Sequence, residues 1–230
     1  MRKALSTHID DHMVPGEFDR NKILISIHPQ EKDIWYWTNP LNDQKCSLGV
    51  VAPVEKIDAR EGATNAEKIQ NLVAEAPALQ KVLRNAEYNY PARNFTGYAA
   101  NIKSLAGDKY ALLGNAGEFL DPMFSSGITI AMQSASLASK VLHRQLNGET
   151  VDWQSEYAEP LKKGVDTFRV FVDAWYDGRF QDVIFYKGKL PKVHQMVCSI
   201  LAGYAWDESN PFVAEPERRL DALAELCGSQ

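Results

Sequence analysis

The residues best placed to do chemistry lie at positions 110–128, which read YALLGNAGEFLDPMFSSGI. A short apolar run ending in Gly114 reads as a buried strand of a parallel sheet, followed by a glycine-rich turn and a helix start. Ligands of such sheets gather beyond the carboxyl ends of the strands, where Gly114, Ala116 and Gly117 leave little side chain in the way. After Pro122, Ser125 and Ser126 are N-cap candidates, and the amides of Gly127, Ile128 and Thr129 would face outward with the positive end of the helix dipole. The chemistry expected of this arrangement is recognition of the polar edge of a cofactor by backbone N–H groups. The same residues also suit a tightly packed strand-turn-helix unit. Gly127, Ala131, Ala135 and Ala138 give the helix a small face for close approach, and Ile130, Leu137, Val141 and Leu142 can fill neighbouring core.

Other elements must position this turn. Ile23, Ile25 and Ile27 alternate as on a half-buried strand, and two further strands are predicted over 34–38 and 45–52, with turns at 29–33 and 40–44. The result is an antiparallel meander that buries one face and can line a substrate chamber with the other. Trp35 and Trp37 point to the same side of their strand, where they supply either core area or pocket wall. Positions 65–84 read as helical, with Pro77 dividing two short helices. Tyr88, Tyr90, Phe95 and Tyr98 follow in an extended region, and spacing leaves both core and pocket wall open for them. Beyond Gly148, Tyr157, Leu161, Val165, Phe168, Val172 and Trp175 form a strong helical stripe, and further helices are predicted over 193–205 and 215–226.

Two motifs, in order along the chain, resemble those of the flavin-dependent halogenases, tryptophan halogenases among them, and of related FAD monooxygenases of the hydroxybenzoate hydroxylase type. The second FAD motif of that family reads Gly-Asp-Ala-Ala/Gly-x-x-x-Asp-Pro-x-x-Ser-Ser-Gly, and positions 114–127 match it with Asn115 in place of the first aspartate. In the family that aspartate accepts a hydrogen bond from a ribityl hydroxyl of the flavin. An asparagine carbonyl still accepts the bond but loses the charge assistance, at a cost of about 1 kcal/mol. The family's Trp-x-Trp-x-Ile-Pro marker is met by Trp35, Trp37 and Pro40, with Asn39 in place of the isoleucine. The resemblance implies an FAD site that includes Gly114, Asn115, Pro122, Ser126, Gly127 and Ile128, with Trp35 and Trp37 on the substrate side. It identifies no catalytic residue here, because the lysine that serves halogenation in the family has no matching motif in this chain.

The fold class so implied is α/β, an α+β fragment. It comprises an antiparallel substrate-side sheet with helices over 1–105, one βα element of an FAD-binding Rossmann-like domain over 106–148, and a helical C-terminal region over 149–230. No Gly-x-Gly-x-x-Gly occurs in the chain, so the resemblance implies a truncated form corresponding to roughly the C-terminal half of a family member. Two functions follow. One is an FAD-dependent oxidoreductase of halogenase or monooxygenase type, acting on a small organic, aromatic substrate with reduced flavin supplied by a reductase. The other is a non-catalytic remnant or binding module that keeps the substrate-side fold.

Bulk properties bound these readings. A chain of 230 residues with 45% hydrophobic content can bury a sizeable core, and a net charge of -5 without a lysine or arginine cluster argues against a nucleic-acid partner. No long apolar segment suggests a membrane span, and three dispersed cysteines without a Cys-x-x-Cys pair suit a reducing cytoplasm. His8 and His12 would share a metal only on a helix, and Val14, Pro15 and Gly16 argue for a loop there, so no metal is expected. Ser125 and Ser126 lack the Gly-x-Ser-x-Gly elbow of a hydrolase. Asp121 can simply brace its turn through backbone amides and Glu118 can as easily face solvent, so neither is assigned as a catalytic acid or base.

Overall fold

The computed structural model describes residues 1–99 and 102–228, which form two compact units, Met1–Tyr98 and Ala99–Gln230. In the first unit the expected meander is present as β2 (Leu24–Ile27), β3 (Trp35–Pro40) and β4 (Lys45–Pro53), each antiparallel to its neighbour. The sequence reading missed β1 (Arg2–Asp10), which pairs with β4 along its whole length and with β5 (Arg93–Thr96) on its other side. The sheet order is therefore β2-β3-β4-β1-β5. β1 escaped notice because Ser6, Thr7 and His8 interrupt its apolar signal, although Leu5 and Ile9 alternate onto the core face. His8 thus lies on a strand rather than a loop, packing edge-on against Tyr90, and His12 lies beyond the strand end.

Strand alternation separates the two faces of this sheet. Leu5, Ile9, Tyr36, Leu48 and Val50 face a core completed by Ile57, Ile69, Leu72 and Leu79 from three helices, α1 (Val54–Asp58), α2 (Asn65–Ala74) and α3 (Pro77–Val82). Tyr36 donates its hydroxyl to the Leu72 carbonyl at 2.8 Å, tying sheet to helix. Pro77 opens α3 and separates it from α2, as expected. A capping box starts α2: the Glu67 amide donates to Thr64 Oγ1 at 3.2 Å, and the Thr64 amide donates back to Glu67 Oε2 at 3.3 Å.

The second unit opens with a small hairpin, β6 (Ala106–Gly107) and β7 (Tyr110–Ala111). The strand predicted at 110–113 therefore does not sit in a parallel sheet. It pairs antiparallel for two residues, and beyond them the Leu112 carbonyl accepts the Tyr157 hydroxyl at 2.5 Å instead of a neighbouring strand. The long helix α4 (Gly127–Leu146) follows, then α5 (Glu159–Asp177), entered through a wide turn at Gln154–Ala158. The chain continues through α6 (Arg179–Ile184), α7 (Pro191–Leu201), α8 (Pro211–Ala214) and α9 (Pro216–Gly228). The helical stripe predicted after Gly148 is buried: Leu161, Val165, Phe168, Val172 and Trp175 all lie in the core. An antiparallel sheet unit and a largely helical C-terminal unit thus realise the expected mixed class.

Candidate functional site

The turn before α4 is built from glycines that allow close packing. Gly114 has φ +51°, and its amide donates to Ser134 Oγ in α4 at 2.9 Å. A Cβ on Gly114 would stand 3.1 Å from the Ala131 Cβ, so the small face of α4 is what lets this turn settle on the helix. Gly117 is equally confined, since a Cβ there would meet Leu105 Cδ2 at 2.8 Å and the Leu112 carbonyl at 3.0 Å. Both glycines are buried.

Gly127 differs from them. A Cβ built on it would meet only Asn115 Oδ1, at 3.8 Å. The structure therefore brings Asn115 and Gly127 side by side at the start of α4, with open space around the glycine. Asn115 is exposed and Ile128 is 75% exposed. Ser126 is buried and already helical in conformation, and Ser125 is left-handed at φ +53°. The N-cap is Ser126, and it makes no side-chain capping bond, contrary to what the sequence suggested. The amides of the first turn of α4 have no intrahelical acceptor, so they are available to a ligand with the helix dipole behind them.

Two carboxylates hold this turn. Asp121 Oδ1 accepts the Met123 amide at 2.9 Å and Oδ2 accepts the Tyr176 hydroxyl at 2.8 Å, the bracing role the sequence allowed it, with Pro122 opening the short turn that follows. Glu118 does not face solvent. Its side chain is 6% exposed and pairs with Arg169 of α5 at 3.0 Å. Beneath the turn, Phe124 packs edge-on against Trp175 and Phe180. Burial also pushes the Tyr157 phenol up to about 12, which keeps its proton on the bond to the Leu112 carbonyl. Ser134, Tyr157, Arg169 and Tyr176 were not legible as supports of this turn, because each lies 20 or more residues from the group it holds.

In the sheet unit, Trp35 and Trp37 lie on the face opposite the helix-packed core, their rings 6.0 Å apart and inclined at 50°. Trp35 is buried, whereas Trp37 is half-buried and lies flat over its cross-strand partner Gly49, its indole N–H donating to Ser47 Oγ at 3.1 Å. Asn39, on the same side of β3, carries a buried Oδ1 with no hydrogen-bond partner among the described residues. The isoleucine-to-asparagine departure in the tryptophan motif thus places an acceptor on this face.

Among the described residues one group of potential metal donors occurs, His28, Glu31 and Glu75. All three of its residues already have partners. The His28 Nδ1 accepts the Gln30 and Glu31 amides, Nε2 faces Glu75 at 3.1 Å, and Arg60 pairs with both glutamates. A guanidinium occupies the place a cation would take.

No family model matches the chain. It is 30% identical over 167 residues to the flavin-dependent halogenase gsfI of Penicillium aethiopicum, an alignment covering 70% of this chain and 31% of that protein. It is 34% identical over 117 residues to a tryptophan 2-halogenase of Chondromyces crocatus, covering 50% of this chain and 22% of the relative. Among solved structures, a flavoprotein/dehydrogenase from Cytophaga hutchinsonii superimposes with a TM-score of 0.92 at 38% identity, covering 99% of this chain and 55% of that one. The chain thus spans less than a third of these two curated relatives and about half of the structural one.

Proposed function

We propose, from its similarity to flavin-dependent halogenases, that this chain supplies the ribityl-side part of an FAD site in a flavin-dependent oxidoreductase of halogenase or monooxygenase type. The observation that carries this reading is the start of α4, where Gly127 leaves open space and only Asn115 Oδ1 would lie within 4 Å of an added Cβ. The cofactor fits the donor set. Backbone N–H groups suit the polar edge of a flavin, and an amide carbonyl suits a ribityl hydroxyl. When bound, FAD would supply the redox chemistry that activates oxygen, and the protein's task is binding, orientation and exclusion of water.

This chain's own residues divide that task. Gly127 and Ile128 would present amides, Asn115 would accept the hydroxyl hydrogen bond, and Gly114, Pro122 and Ser126 shape the turn that aims them. The Glu118–Arg169 and Asp121–Tyr176 contacts keep that aim rigid. Trp35 and Trp37 would form a wall toward a small organic, aromatic substrate, where their ring faces offer stacking area. A separate flavin reductase and a cytoplasmic setting complete the reading.

Titration of the purified chain with FAD, followed by quenching of flavin fluorescence, tests it. Saturable quenching that Gly127→Leu weakens is the expected result, and no quenching at any FAD concentration refutes the proposal for this chain. A second reading, as a non-catalytic binding module, is favoured by the outer face of α4. Ile128, Met132, Leu142 and Leu146 recur there at helical spacing and are 75%, 70%, 46% and 78% exposed. A chain that binds no flavin but associates through this stripe would support that reading.

A further inference from the structure

The helical unit holds a cavity of about 440 Å³ among α6, the connection that follows it, α7 and α9. That volume lies within the range of small-molecule sites, and its walls are largely apolar, with Val183, Leu190, Val197, Leu201 and Leu223 among them. The charged and polar groups that line it are few. Lys189 and His194 are present, with Cys198 lying 3.7 Å from the His194 ring nitrogens, and no aspartate or glutamate lines the cavity. In a chain of net charge -5 that is a local reversal, reinforced by Lys187 and Lys192 on either side of Lys189 in sequence. Among the described residues Lys189 has no carboxylate partner and no hydrogen bond, so its charge is uncommitted.

We propose that this cavity binds a small organic anion with an apolar body, an alkyl or aryl carboxylate, with the body among Val183, Leu190, Val197 and Leu223 and the carboxylate at Lys189. The apolar walls provide affinity through burial, and the lone ammonium at the rim provides orientation and selects for negative charge. Among the described residues no carboxylate lines the cavity, and the one that acts on a lining residue, Asp182 beside Cys227, leaves Lys189 unpaired. This proposal does not depend on the reading of the α4 turn.

Cys198 offers a site-specific reporter. Cys198 and Cys227 both line the cavity, but Cys198 is exposed whereas Cys227 is 7% exposed, and Cys46 is fully buried in the other unit. The experiment follows N-ethylmaleimide labelling of the folded chain by intact mass while decanoate is titrated, with acetate and decanol as controls. Decanoate should slow Cys198 labelling saturably by at least about fivefold, acetate should have no effect, and decanol should protect less well, since it lacks the charge that Lys189 recognises. Lys189→Glu should raise the decanoate needed for half-protection about fivefold or more. Lys189 is exposed and unpaired, and an unchanged urea midpoint reports that the variant is folded. Failure of decanoate to protect, equal protection by decanol, or an unchanged decanoate requirement in folded Lys189→Glu would each overturn the proposal.

Discussion

Three glycines of one turn should respond to substitution in opposite ways, because each has a different neighbourhood. Gly114 has φ +51° and 3.1 Å of room before the Ala131 Cβ. Alanine there must adopt a left-handed conformation, costing about 1–2 kcal/mol, and push against α4 as well. Gly117→Ala meets a backbone carbonyl at 3.0 Å and a leucine methyl at 2.8 Å, so a cost of about 1–3 kcal/mol follows. Gly127→Ala meets only Asn115 Oδ1 at 3.8 Å and opens a helix, where alanine is favoured by up to about 1 kcal/mol. Stability should therefore fall for the first two and hold or rise slightly for the third. With a urea dependence of about 2 kcal/mol/M, a 2 kcal/mol loss lowers the midpoint by about 1 M.

Flavin affinity should follow a different order. Gly127→Leu leaves the fold intact but fills the space beside Asn115, and loss of close approach to the first amides of α4 should weaken FAD by at least about tenfold, or 1.4 kcal/mol. Urea denaturation and flavin fluorescence quenching on the parent and these four variants read the two effects separately. A folded Gly127→Leu that binds FAD within a factor of two of the parent would refute the placement of the cofactor edge. A Gly114→Ala protein as stable as the parent would refute the packing argument.

Other perturbations have equally definite outcomes. Arg169→Met leaves the Glu118 carboxylate, 6% exposed, without its cation. Breaking a fully buried pair costs about 3–5 kcal/mol, and solvent access at Arg169 lowers this to roughly 2–3 kcal/mol, to be measured by denaturation, with Glu118→Gln in the same chain recovering part of the loss. Thr64→Ala removes the capping box of α2 and should cost about 1 kcal/mol by the same assay. In the sheet unit, Lys56 and Arg60 hold the Glu31 carboxyl below its ordinary value of 4.5. A carboxyl whose folded value is depressed contributes stability that is complete above the unfolded value and lost as pH falls through the folded one. Glu31→Gln should therefore destabilise at neutral pH, and its deficit should shrink as the pH drops below 4.5. A deficit independent of pH would show that the ion pairs contribute nothing.

Much of this arrangement is local and was therefore legible in the chain. The β2-β3-β4 meander follows from alternation and turn residues, the break at Pro77 from the proline ring, and the buried face of α5 from its aromatic period. The small residues of α4 and the order of turn, aspartate-proline and paired serines marked the candidate site before any coordinates. Sequence alone could not give β1 its place between β4 and β5, since strand order depends on pairing between residues dozens of positions apart. Nor could it say that Gly114 and Gly117 serve packing while Gly127 faces open space, because the three differ only in what the folded chain brings near them. Glu118 shows the same division. Its charge is written in the sequence, but its burial depends on Arg169, 51 residues away, and only tertiary structure brings a carboxylate and its compensating cation out of water together.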